Sequence, residues 1–268
     1  MMIDKFIHEG IVSFDDFIKL RDSADELGIP IKILDTTFVL PTSDHNIEEY
    51  YETTHLENAQ LFNIEEVSSK ESSLPHMLPD QRALELALSS LGITNEDIII
   101  LYGQHGMIMG PARVWWMLKG YGHDRVLVLN GGLPAWLQAG GKTVSGKSDE
   151  TKPSTYKAAP FDVTKIIDMA DLDTISQEKK HPIIDARPQA RFTGESKEPR
   201  PGMRSGHIPN SINIPCSLLV EDNGTLKSKD ALRTLFDQRG VDTYDADRII
   251  TTCGSGITAC ALSLALYH

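Results

Sequence analysis

The sequence predicts an α/β protein made of two tandem copies of one domain, each a mainly parallel sheet flanked by helices. Three observations predict it: an internal repeat, an alternation of β-branched runs with amphipathic stretches, and a polar segment between the halves. Ile31-Lys32-Ile33-Leu34-Asp35 resembles His181-Pro182-Ile183-Ile184-Asp185, with the aspartates 150 residues apart. Thr54-His55-Leu56-Glu57-Asn58-Ala59 resembles Gly206-His207-Ile208-Pro209-Asn210-Ser211, with the histidines 152 apart. Ile98-Ile99-Ile100-Leu101-Tyr102 resembles Arg248-Ile249-Ile250-Thr251-Thr252, again at 150. Three similarities in order at a near-constant offset mark a duplication.

The elements follow in chain order. The runs 31–34, 98–101, 126–129, 183–184 and 248–252 are short, β-branched and bounded by turn residues, so they read as buried strands. Gln81–Leu91 and Lys229–Gln238 place apolar residues three and four apart, the spacing of one helix face. Strands alternating with helices imply a parallel sheet. Gly140–Pro160 is rich in Gly, Ser, Lys, Thr and Pro and has no apolar period. The expected division is therefore residues 1–140, a linker at 141–160, and residues 161–268.

Composition excludes several classes. The 40% hydrophobic and 24% charged fractions are those of a globular protein with a core. No run of eighteen apolar residues is present, so no membrane span is expected, and the charged start Met1-Met2-Ile3-Asp4-Lys5 does not read as a secretory signal. The net charge of −12 argues against nonspecific nucleic-acid binding. Any anion site must then supply its own positive charge. Three cysteines, Cys216, Cys253 and Cys260, form no CxxC pair, and no histidine stands at zinc-ligand spacing from them. Free thiols in a reducing cytoplasm are expected, with no metal and no organic cofactor.

Thr252-Cys253-Gly254-Ser255-Gly256-Ile257-Thr258-Ala259-Cys260 lies between a strand and the apolar helical stretch Ala259–Tyr267. Two glycines let such a loop curl with its N–H groups inward, and the helix N-terminus adds to this anion cradle. A cysteine at its lip would have a stabilised thiolate, and a persulfide there would be held as an anion. Taken alone, a buried structural cysteine before a helix fits about as well.

The loop resembles the active-site loop of the rhodanese superfamily, and its CGSGxTAC pattern resembles the 3-mercaptopyruvate sulfurtransferase branch. The resemblance covers nearly the whole chain. It includes Thr37-Phe38-Val39-Leu40-Pro41, Pro75-His76-Met77-Leu78-Pro79, Pro111-Ala112-Arg113-Val114-Trp115-Trp116-Met117, Gly131-Gly132-Leu133-Pro134-Ala135-Trp136, Asp185-Ala186-Arg187 and Gly206-His207-Ile208-Pro209. It implies two tandem rhodanese-like domains, the second catalytic. It also implies that Cys253 takes sulfur from a small-molecule donor and that Gly254, Gly256, Ile257 and Thr258 frame the site. Arg191 and Arg200 would hold the substrate carboxylate, which suits the planar guanidinium fork. Ser255, His76 and an acidic residue, Glu65 by position, would form a serine-protease-like triad. The acceptor would be a thiol such as thioredoxin, or cyanide.

Two departures stand out. Tyr102-Gly103-Gln104-His105-Gly106 replaces the cysteine loop in the first copy, and residues 1–215 contain no cysteine, so the first domain cannot carry a persulfide. The second copy stops at His268, fifteen residues beyond Cys253, without a counterpart of Arg125–Leu129 and Gly131–Leu137. The second domain therefore reads as C-terminally incomplete: either the chain is truncated or its tail is not included, and a true truncation would expose an apolar sheet edge and lower stability.

Three other functions compete. Thiosulfate as donor suits loops with cations after the cysteine, where Ser255 stands here. A related phosphatase would need a longer loop ending in Arg, whereas this one ends in Thr258-Ala259. A noncatalytic binding module would lack Cys253. Cys260 reads as core packing rather than a redox partner, and Cys216 carries no assigned role.

Overall fold

The computed structural model describes residues 2–39, 46–148 and 151–268. Leu40 and Pro41 of the first motif, and residues 149–150 of the linker segment, lie outside the described residues. Ten strands are present among those described: β1 (Ile11–Val12), β2 (Ile31–Asp35), β3 (His55–Leu56), β4 (Ala59–Leu61), β5 (Ile98–Tyr102), β6 (Val126–Leu129), β7 (Thr143–Val144), β8 (Ile183–Asp185), β9 (Ile212–Asn213) and β10 (Ile250–Thr252). The last begins at Ile250, not Arg248, because pairing starts where Ile250 meets Ile183.

The first sheet has the order β1-β6-β5-β2-β4 and is parallel throughout. The second has the order β10-β8-β9 and is also parallel. The duplication is visible residue by residue. Asp35 pairs with Tyr102 and Leu61, while Asp185 pairs with Thr252 and Asn213. Among the described residues β10 has β8 as its one neighbour, whereas its counterpart β5 lies between β2 and β6.

Most helices of the flanking layers are closed by side-chain caps, which satisfy backbone N–H groups that helical bonding leaves over. Asp80 caps Gln81–Ser90, Asp168 caps Met169–Glu178 and Ser228 caps Lys229–Gln238. Among those without such a cap are Met109–Gly120, after the first-copy loop, and Ala259–Tyr267, after the cysteine loop. These two pack on each other. Small residues such as Ala112, Ala261 and Ala265 are buried in this region, and Trp115 meets Tyr267 edge-on at 5.0 Å. One apolar core therefore runs from Leu101 and Val114 of the first copy to Ile184 and Leu262 of the second. That helix pair brings the two loops to a common boundary.

The segment between the copies is packed rather than loose. β7 pairs antiparallel with β3, the Gly146 amide donates to the Glu52 carbonyl, and Tyr156 is buried. Its aperiodic composition hides this, since a few anchoring side chains suffice to fix an extended chain.

Candidate active site

Cys253 is the first residue after β10 and is half-buried. Gly256 has φ +78°, the left-handed region where a side chain is strained. That geometry turns its amide back, and the N–H donates to Cys253 Sγ at 3.1 Å. Thr258 opens the following helix without a side-chain bond, so the helix N-terminus remains directed at the loop. Ile257 is buried in the core, so it anchors the loop. Cys260 Sγ donates to the Gly256 carbonyl at 3.2 Å, and burial pushes its thiol up to about 11. Cys260 is therefore a protonated packing residue that supports the loop. Burial likewise raises the Cys216 thiol above its ordinary value.

Both arginines reach the residue beside Cys253. Arg200 donates through Nη2 to the Gly254 carbonyl. A Cβ on Gly254 would lie 2.8 Å from Arg191 Nη2, closer than real Cβ contacts. Only glycine lets the guanidinium rest on this turn. Arg191 stands on the short helix Gln189–Thr193, which Gly194 ends at φ +84°.

Glu198, which sequence reasoning noted only for its place beside Arg200, sets the orientation of Arg191. Its carboxylate accepts from Arg191 Nη2 at 2.5 Å and Nε at 3.2 Å, and from Arg187 Nη1 at 2.8 Å. Arg187 in turn is held by Asp185, with Nη2 to Oδ2 at 2.6 Å. Hydrogen bonding from Arg191, then the charges of both arginines, holds the Glu198 carboxyl below its usual range. Bonding to Asp185 raises Arg187 further. A chain of charges thus runs from the end of β8 to the cysteine loop. The alternation of Arg187, Arg191 and Glu198 in one stretch was the available signal.

His76 approaches from the first copy. It is buried and has φ +58°, uncommon for a residue with a side chain. Its ring stands edge-on to Phe38 at 5.1 Å. Nε2 lies 2.6 Å from Glu65 Oε1, so Glu65 does reach it, while Nδ1 is buried without a hydrogen-bond partner in the structure. Glu65 is placed by the helix Ile64–Val67, whose cap Asn63 accepts from the Glu65 amide.

His76 and Ser255 line one cavity of about 760 Å³, together with Arg113, Thr252, Gly256 and Cys260. Cys253, Arg191 and Arg200 do not line it. The residues on either side of Cys253, Thr252 and Ser255, thus border the cavity that His76 lines.

In the first copy the equivalent loop is tied to its own domain through Gln104. Gln104 Nε2 donates to Asp35 Oδ2 at 2.5 Å and to the Thr54 carbonyl at 2.9 Å. Burial raises the Asp35 carboxyl.

A family model described as a rhodanese-like domain matches residues 16–139 and again 168–268. The chain belongs to the rhodanese family. A 3-mercaptopyruvate sulfurtransferase of Escherichia coli K12 is 39% identical over 237 residues, covering 88% of this chain and 82% of that protein. A mitochondrial thiosulfate/3-mercaptopyruvate sulfurtransferase of Arabidopsis thaliana is 35% identical, covering 89% of this chain and 67% of its own length. A crystal structure of SseA from Escherichia coli, described in terms of the rhodanese fold, superposes with a TM-score of 0.81 at 34% identity. It covers 96% of this chain and 93% of that one. Two rhodanese-like domains, with the cysteine loop in the second, are the architecture seen here. No helix among the described residues is long and apolar enough to cross a membrane.

Proposed function

We propose that this rhodanese transfers sulfur from 3-mercaptopyruvate to a thiol acceptor through a persulfide on Cys253. The observation that carries the reading is the convergence of Arg191 and Arg200 on Gly254, next to the cysteine. Two guanidinium groups there suit a carboxylate on the donor. Arg191 has its Nε and one Nη2 proton engaged by Glu198, which leaves the Nη1 side for substrate.

In the first half-reaction the Cys253 thiolate attacks the donor sulfur. A new S–S bond forms, the donor C–S bond breaks, and its electron pair leaves as the enolate of pyruvate. Protonation of that enolate gives pyruvate. Ser255, with His76 held by Glu65, manages the proton, which accounts for a histidine kept in a strained, buried turn. In the second half-reaction an acceptor thiolate attacks the outer sulfur, and Cys253 leaves as thiolate. Gly254, Gly256, Ile257 and Thr258 hold the loop that carries the persulfide. The Gly256 amide, already on Cys253 Sγ, steadies that anion.

We assign residues 1–140 to the noncatalytic domain, 161–268 to the catalytic domain and 141–160 to the connection. The three free cysteines suit a reducing cytoplasm, and a thioredoxin-type dithiol is the acceptor we favour. The test is mass spectrometry after incubation with 3-mercaptopyruvate and no acceptor. One added sulfur atom on wild type, absent from Cys253→Ser, supports the reading. A sulfur adduct that persists in Cys253→Ser contradicts it.

A further inference from the structure

Arg113 sits on the first-copy helix Met109–Gly120 that packs against the helix behind the cysteine loop. It is buried, and its guanidinium spans the boundary between the copies. Nη2 donates to the carbonyl of His76 at 2.7 Å. Nη1 donates to the carbonyl of Gly256 at 3.4 Å. Its flank lies against the Trp116 ring, 5.4 Å from the centroid. Among the described residues no carboxylate pairs with it. A buried guanidinium without a counter-ion is costly, and it persists where carbonyl oxygens take its protons.

Both carbonyls belong to the proposed machinery. One is on the left-handed turn that presents His76. The other is on the glycine whose amide donates to Cys253 Sγ. A single rigid fork therefore ties the proton-handling turn of one domain to the sulfur-carrying loop of the other. Cys260 shares the same Gly256 acceptor, so the loop carbonyl is held from two sides.

We propose that Arg113 is a positioning residue that sets the distance between His76 and the cysteine loop. This rests on the assignment of proton transfer to His76 made above. Lysine keeps the charge at this site but has no planar fork to serve two carbonyls at once.

The test is a double-mutant cycle of Arg113→Lys and His76→Ala, with pyruvate release from 3-mercaptopyruvate as the readout. Thermal unfolding and circular dichroism of every variant establish that assays run on folded protein. Arg113→Lys is expected to lower kcat by about 10²-fold, the loss typical of a misplacement near 1 Å, with KM changed by less than about threefold. Adding Arg113→Lys to His76→Ala is expected to cost less than about threefold more, because the residues act as a unit. A folded Arg113→Lys with wild-type kcat overturns the proposal. So does a large His76→Ala loss to which the Arg113→Lys loss simply adds, and that result leaves the His76 role intact. A His76→Ala variant of normal rate overturns the role of His76 and the proposal with it. Arg113→Met, which removes the charge at similar volume, provides a second folded variant if lysine does not fold.

Discussion

Glu198 holds Arg191 by two hydrogen bonds, Nη2 to Oε2 at 2.5 Å and Nε to Oε1 at 3.2 Å, while the same carboxylate takes Arg187. The carboxylate side chain is 5% exposed, so the pairing is made largely out of water. Removing it leaves a guanidinium next to the active loop without its partner. Glu198→Ala is therefore expected to destabilise the fold by about 3 kcal/mol, and urea unfolding measures this. Glu198→Gln keeps the shape and is expected to raise KM for 3-mercaptopyruvate more than it lowers kcat. A Glu198→Gln variant with unchanged KM would contradict this role.

Gly254 carries a second prediction. A methyl group there meets Arg191 Nη2 at 2.8 Å, and the guanidinium must move. Since φ of Gly254 is not among the positive values, the backbone itself tolerates alanine. Gly254→Ala should fold with nearly the wild-type thermal midpoint and lose on the order of tenfold or more in kcat/KM. A lowered midpoint with normal kcat/KM would place the glycine's importance in folding instead.

His76 offers a substitution that separates strain from chemistry. Its φ of +58° is one that asparagine tolerates better than most residues. His76→Asn is expected to retain the fold and to lower kcat by roughly 10²-fold, as removal of a general acid–base group does. Circular dichroism and steady-state kinetics on the same sample decide it, and a kcat near wild type would remove His76 from the proton path.

Much of this was legible in the sequence because the signals are local. The strand, two glycines and apolar helix around Cys253 lie within one short stretch, and the 150-residue offset aligns Asp35 with Asp185 directly. The pairing of Asp35 with Tyr102 and of Asp185 with Thr252 follows that alignment. What was not legible depends on long-range contacts. Arg113 touches carbonyls 37 and 143 residues away, and backbone acceptors leave no mark in the sequence. That Ser255 and His76, from different copies, line one cavity is likewise a matter of tertiary packing. The packed connection between the copies escaped for a related reason, since Tyr156 is an isolated anchor and makes no periodic pattern.

His123 gives the stability a pH dependence. Burial lowers its pKa from 6.5 to about 4, and Nε2 is buried without a partner. The unfolded chain therefore binds more protons than the folded one between these values. Stability is full above pH 6.5 and falls as pH drops towards 4, by on the order of 3 kcal/mol. Urea midpoints across this range should decline for wild type and decline less for His123→Gln. Equal slopes would assign the acid sensitivity to other groups.

The central claim is that Cys253, with Arg191 and Arg200 beside it, takes sulfur from a carboxylate-bearing donor. Its most direct test is steady-state sulfur transfer to a thiol from 3-mercaptopyruvate and from thiosulfate, side by side, for wild type, Cys253→Ser and Arg200→Met. The account predicts a preference for 3-mercaptopyruvate, no turnover in Cys253→Ser, and a raised KM for 3-mercaptopyruvate in Arg200→Met. A preference for thiosulfate in the wild type, with 3-mercaptopyruvate KM unmoved in Arg200→Met, would contradict it.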